Sequence, residues 1–131
     1  FLKKEGWSGS AHWMGRQADE EREHALSLAD WMIKRGGEVR LTAIDEVPCG
    51  WDNLLDVYKA VYKHECHVSE LIDALVDVAS AEKDKATQDF LWGFVREQVE
   101  EEATAAGIVE SLKRAGENGW FFVDAELAKR Q

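Results

Sequence analysis

The chain has 131 residues, 45% hydrophobic and 32% charged, enough for one packed domain over residues 1–131. Sixteen basic against 26 acidic residues give a formal charge of −10. That balance argues against nucleic acid as a partner, because polyphosphates are held by clustered Lys and Arg, and it favours cations. No stretch reads as a signal peptide or a membrane span, and Cys49 and Cys66 form no CxxC, which predicts a reduced, cytoplasmic protein with two free thiols and no membrane partner.

With one Pro and ten Gly, the chain reads as all-α, since Pro interrupts the helical hydrogen-bond ladder and Gly weakens it. Phe1-Leu2-Lys3-Lys4 has the form of a last helical turn that Gly6 ends. From Ser10 to about Arg35, the residues Trp13, Gln17, Glu21, His24, Leu28 and Trp31 recur at spacings of three and four. This predicts a helix capped by Ser8 or Ser10 and stopped by Gly36-Gly37. The stretch EVRLTAIDEVPCGWDN, with Pro48 and Gly50, is too long for a hairpin between neighbouring helices and suits a crossover along a bundle. Asp52 is the expected N-cap of a second helix reaching about Ala81, with Leu54, Val57, Tyr58, Val61, Val68, Ile72, Leu75 and Val76 as its stripe. The short turn EKDKAT makes a third helix, about Lys85 to Ala115, its antiparallel neighbour. WFFVDAELAKR is enough for a small terminal helix, with Trp120-Phe121-Phe122 most simply packed into a core and a subunit contact as the second reading. Val95 and Val99, with Trp92 beside them, mark a second apolar surface of the kind an oligomer buries.

The stretch EQVEEE, residues 97–102, concentrates acid in the third helix. Advancing about 100° per residue, Glu97 and Glu101 fall in the arc of Phe90, Phe94, Ala105, Ile108 and Leu112. Gln98 and Glu100 flank that arc, and Glu102 lies outside it. On the first helix Glu21 and His24 share the apolar stripe and Glu20 sits at its edge; on the second, Glu65 is the only acid in the stripe. Each feature has a blander reading alone, a helix-edge acid reaching solvent or a satisfied core histidine. Together, three helices interrupt their apolar faces with acid near the middle. Buried carboxylates without partners cost several kcal/mol each and repel one another. No Lys or Arg stands on those faces, so a bound cation is the natural resolution. Oxygen donors with one imidazole suit iron, manganese or zinc, and the carboxylate-rich set leans to iron.

EEREHALSLADWMIKRGGEV, WDNLLDVYKAVYKHE, EKDKATQDFL and FVREQVEEEA, in this order and at these separations, resemble a bacterial or archaeal non-haem ferritin over nearly the whole chain. The resemblance implies a ferritin-like four-helix bundle with a long crossover and a short C-terminal helix. The family's first helix, with one Glu ligand, would be largely absent ahead of FLKKEG. It also implies a di-iron ferroxidase centre in which Glu21 bridges two irons, His24 binds the first, Glu65 and Glu101 bind the second, and Gln98 lies near incoming oxygen. A third iron site would use Glu20, Glu97, Glu100 and Glu101. Gln98-x-x-Glu101 stands where bacterioferritins carry a second Glu-x-x-His, and Arg22 stands where they place a haem-binding Met, so no haem is implied. A rubrerythrin would add a CxxC domain, which this chain lacks. Trp92-Gly93 departs from the Gln-Trp of many relatives. The implied activity is oxidation of Fe(II) by oxygen or hydrogen peroxide and storage of the Fe(III) mineral in a hollow 24-subunit homo-oligomer. The alternatives are a non-catalytic or truncated shell subunit and a ferritin-like di-iron oxidase or peroxidase that stores nothing.

Overall fold

Glycines and short polar side chains set the ends of the helices in this chain. The computed structural model describes residues 1–131 as α1 (Ser8–Lys34), α2 (Leu54–Ala81), α3 (Lys85–Ala115), a single 3-10 turn (Glu117–Gly119) and α4 (Trp120–Leu127), with no strand. The backbone falls into two compact units, one of Phe1–Gly50 with Asp124–Gln131 and one of Trp51–Val123.

In the first unit, FLKKEG has the geometry of a helix C-terminus. Trp7 N–H donates to Leu2 O (2.9 Å), Gly6 N–H donates to Lys3 O (3.4 Å), and Gly6 takes φ +85°. These paired bonds around a left-handed residue form a Schellman motif. It recurs after α1, where Gly36 (φ +82°) donates to Ile33 O at 3.0 Å and Gly37 to Met32 O at 2.8 Å.

The start of α1 differs from the expected serine cap. Trp7 occupies the cap position, where its side chain makes no capping hydrogen bond, and the first-turn N–H groups are served from the far end of the chain. Asp124 accepts from Gly9 N–H (3.0 Å), Ser10 N–H (2.7 Å) and the Ser10 hydroxyl (2.7 Å). A carboxylate there meets orphan donors and the positive end of the helix dipole together, which a neutral serine does less well. Trp13 and Gln17 continue the buried line of α1, while His24, Leu28 and Trp31 are half-buried. The crossover carries no regular structure between residues 37 and 53, and its Leu41 and Ile44 are exposed.

In the second unit Asn53, rather than Asp52, caps α2. Asn53 Oδ1 accepts from Asp56 N–H (2.9 Å) while its amide donates back to the Asp56 carboxylate (3.0 Å), a reciprocal pairing that Asp at the same place could not complete. The turn after α2 is a third Schellman motif, with Lys83 at φ 57° in the role glycine usually fills. Asp84 then caps α3 through Thr87, accepting from its N–H (3.1 Å) and its hydroxyl (2.6 Å).

Two seams of buried residues run along this antiparallel pair at heptad steps: Tyr58, Glu65, Ile72 and Ala79 on α2, and Leu91, Gln98, Ala105 and Leu112 on α3. A seven-residue repeat keeps one line of each helix facing its neighbour. Hydrogen bonds between Gln98 and Glu65 fix the register, so one heptad to either side bulky Tyr58 comes level with small Ala105, and Ile72 with Leu91. Val61, Val68 and Val76 are only half-buried and Leu75 is exposed, so the stripe read from the sequence is broader than the seam.

The terminal aromatic run also divides. Trp120 is buried, its indole N–H donating to Leu112 O (3.0 Å), whereas Phe121 and Phe122 are 68% and 73% exposed. Core packing therefore holds for Trp120 alone, because consecutive helical residues lie about 100° apart. Trp92 and Val99 are likewise exposed, and Val95 is half-buried.

Candidate metal centre

On α1 the spacing of Gln17, Glu21 and His24 puts all three on one face. Glu21 Oε1 accepts from the Gln17 amide (3.2 Å), and His24 Nδ1 lies 3.5 Å from the other Glu21 oxygen. Both Glu21 and His24 are half-buried. This gives a carboxylate and an imidazole held side by side, one anionic oxygen donor and one borderline nitrogen donor.

Glu20 has a partner that the helix faces did not disclose. Arg130, next to the last residue, pairs with the Glu20 carboxylate, donates to Gln17 Oε1 (2.9 Å) and lies 4.5 Å from the centroid of the Trp13 ring. The backbone carbonyl of Arg130 meets His12 Nε2 at 2.7 Å. A cation does serve this face, and it arrives from the chain's end.

In the second unit Glu65 and Gln98 stand opposite each other in the seam, 2% and 7% exposed. Gln98 Nε2 faces three oxygens: Glu65 O (3.2 Å), Glu65 Oε2 (3.4 Å) and Ser69 Oγ (3.4 Å). The Ser69 hydroxyl lies 3.1 Å from Glu65 O and also donates to the Glu102 carboxylate. A groove of about 400 Å³ opens beside this cluster, lined by Tyr62, Ser69, Asp73, Val99 and Glu102. At its edge the Tyr62 phenol is pushed above its ordinary range, first by its hydrogen bond to the Cys66 thiol, then by the charge of that group, desolvation and Glu102.

Glu101 is half-buried beside this layer, but Glu97 and Glu100 are exposed. For Glu97 this corrects the inward placement. The seam of α3 is centred on Gln98, whereas Phe90, Phe94 and Ile108 pulled the apparent apolar arc about 50° toward Glu97. About this centre Glu101 and Glu102 flank Gln98 on either side, and Glu102, read as an outlier, is half-buried and bonded. Ser69 and Glu102 are the polar residues that helix faces alone missed. The signal was present: each lies four residues beyond a seam position, Glu65 and Gln98.

Within neither unit do three His, Cys, Asp or Glu side chains close around one metal-sized position. The two units offer a Glu21–His24 pair on α1 and a Glu65–Gln98 pair across α2 and α3.

Comparison with known proteins places these features in a family. Residues 1–115 match the Ferritin-like domain family. A bacterial non-heme ferritin of Bacteroides fragilis (strain 638R) is 61% identical over 130 residues, spanning 99% of this chain and 82% of that protein. A bacterial non-heme ferritin of Campylobacter jejuni is 34% identical over 125 residues, covering 91% and 75% of the two chains. Among solved structures, an open pore ferritin from the hyperthermophilic archaeon Archaeoglobus fulgidus superposes with a TM-score of 0.97 at 44% identity, over 100% of this chain and 82% of that one.

Proposed function

This chain belongs to the ferritin-like domain family, among the non-haem ferritins, and on that premise we propose that it stores iron, oxidising Fe(II) to Fe(III) before the mineral is laid down. The observation that carries the proposal is the buried Glu65–Gln98 layer. A carboxylate 2% exposed in the middle of an otherwise apolar seam is costly unless something positive meets it. Glu21, His24, Glu65 and Glu101 would hold two Fe(II) ions as substrate, with Gln98 beside the incoming oxidant. Glu20, Glu97, Glu100 and Glu101 would serve a third iron.

Anionic oxygen ligands favour the higher charge of Fe(III), so binding at carboxylates makes electron loss to oxygen or hydrogen peroxide easier. Glu20 would first have to part from Arg130, which makes it the least prepared ligand of the set. The proposed setting is the cytoplasm and a 24-subunit homo-oligomeric shell. The open pore ferritin similarity supports the shell, and no helix is long and apolar enough to cross a membrane.

The double substitution Glu21→Ala with Glu101→Ala tests the reading. The change should raise the melting temperature of the iron-free protein, because an ionised carboxylate set in the apolar stripe of a helix is costly. The same change should abolish rapid Fe(II) oxidation in stopped-flow absorbance. Undiminished oxidation would remove these residues from the reaction. The alternative reading is a shell subunit without oxidase activity; wild-type protein that retains iron while oxidising it no faster than buffer would establish it.

A further inference from the structure

The Gln98 amide is held in one orientation by its surroundings. All three of its hydrogen bonds run through Nε2, to Glu65 O, Glu65 Oε2 and Ser69 Oγ. Turning the amide over would set Gln98 Oε1 against three oxygens that all carry lone pairs, so Oε1 faces away from them. The arrangement depends on Ser69 acting as an acceptor. A serine hydroxyl has one hydrogen, and here two oxygens compete for it: Glu65 O one turn back (3.1 Å) and the Glu102 carboxylate. A charged acceptor outcompetes a neutral carbonyl. With its hydrogen committed to Glu102, Ser69 presents lone pairs to Gln98 and leaves Glu65 O to the Gln98 amide. Without Glu102 the hydroxyl would return to Glu65 O, as helical serines do, and would compete with Gln98 there.

We propose that Ser69 and Glu102 are positioning residues for iron oxidation, fixing the Gln98 amide so that Nε2 steadies the Glu65 carboxylate and Oε1 is turned to the opposite side. The proposal rests on the ferroxidase reading above and adds to it two residues that touch neither iron nor oxidant. Groups that orient a ligand in this way typically change affinity or activity by about 10- to 100-fold when removed. Because Gln98 offers no strong bond to iron, the effect falls on the oxidation step.

The test uses the assembled protein with Ser69→Ala, Glu102→Ala and Ser69→Thr, the last keeping the hydroxyl. Ser69→Ala and Glu102→Ala should lower the oxidation rate at saturating Fe(II) about tenfold, with the half-saturating Fe(II) concentration and the melting temperature little changed. Ser69→Thr should recover the rate to within about twofold. A crystal structure of iron-free Glu102→Ala supplies the readout that does not depend on activity: with the Ser69 hydroxyl returned to Glu65 O, the Gln98 side chain should leave Glu65. A Gln98 that stays in place, a rate that does not fall, or a Thr variant as slow as the Ala variant overturns the proposal. If wild-type protein does not oxidise Fe(II), the ferroxidase reading fails and with it the role in oxidation, while the crystal structure still decides whether Ser69 orients Gln98.

Discussion

Tyr62 and Cys66 lie one turn apart on α2, and the thiol hydrogen bond is the first cause of the raised phenol pKa, ahead of the charge of the thiol and of Glu102. A raised pKa means that the fold favours the neutral phenol. The contribution of this contact is therefore complete below the ordinary value of about 10 and is lost as pH rises through the folded value. An ultraviolet titration should show Tyr62 ionising above the ordinary phenol range, with Cys66→Ala bringing it down; a Tyr62 curve identical in the two proteins would remove the thiol as the cause. The same scale explains the site residues that moved. Glu21 and His24 meet because i and i+3 adjoin on any helix, which a sequence displays directly. Glu97 could not be placed so simply, because a helical wheel counts half-buried Phe90 and Phe94 as equal to the true seam, and only the line through Leu91, Gln98, Ala105 and Leu112 shows where α2 lies.

At the scale of elements, the ends of the helices are where local and distant chemistry meet. Three ends use Schellman turns, at Gly6, Gly36 and Lys83, set by bonds within six residues. The start of α1 instead depends on Asp124, a residue 5% exposed that accepts three hydrogen bonds. Asp124→Ala should cost about 2–4 kcal/mol, because charged acceptors are worth more than neutral ones and the α1 donors would be left in a buried place. Gly9 belongs to the same contact: a Cβ there would stand 1.8 Å from Asp124 O. Gly9→Ala should therefore destabilise by at least about 2 kcal/mol, since backbone must shift to admit one methyl. Chemical denaturation of both variants checks this pair, and wild-type stability in either would show that the contact is dispensable. The α2–α3 seam carries its own compromise. A Glu–Gln layer among apolar neighbours stabilises less than leucine would, yet it sets the register in which Glu65 meets Gln98.

For the whole molecule, the formal charge of −10 and the acid clusters make cations the partners that reduce self-repulsion on binding. The proposed shell gives a direct measurement. Native mass should lie near 24 times the mass of the purified polypeptide, and anaerobic loading with Fe(II) followed by air should leave iron retained in that particle. A small oligomer that turns iron over and releases it would sink the storage proposal while leaving an oxidase. The sequence by itself determined the all-α composition, the glycine stops at Gly6 and Gly36, the length of the crossover, and the Glu-x-x-His and Gln-x-x-Glu spacings. Each of these depends on groups only a few residues apart, or on a period repeated along one helix. Tertiary structure alone decided that Asp124 caps α1, that Arg130 occupies Glu20, and that Glu102 rather than Glu97 joins the Gln98 layer. Those partners are separated by 114, 110 and 33 positions along the chain (Asp124–Ser10, Arg130–Glu20 and Glu102–Ser69). Over such distances a helical period says which faces are apolar but not which polar side chain another element will bring against them.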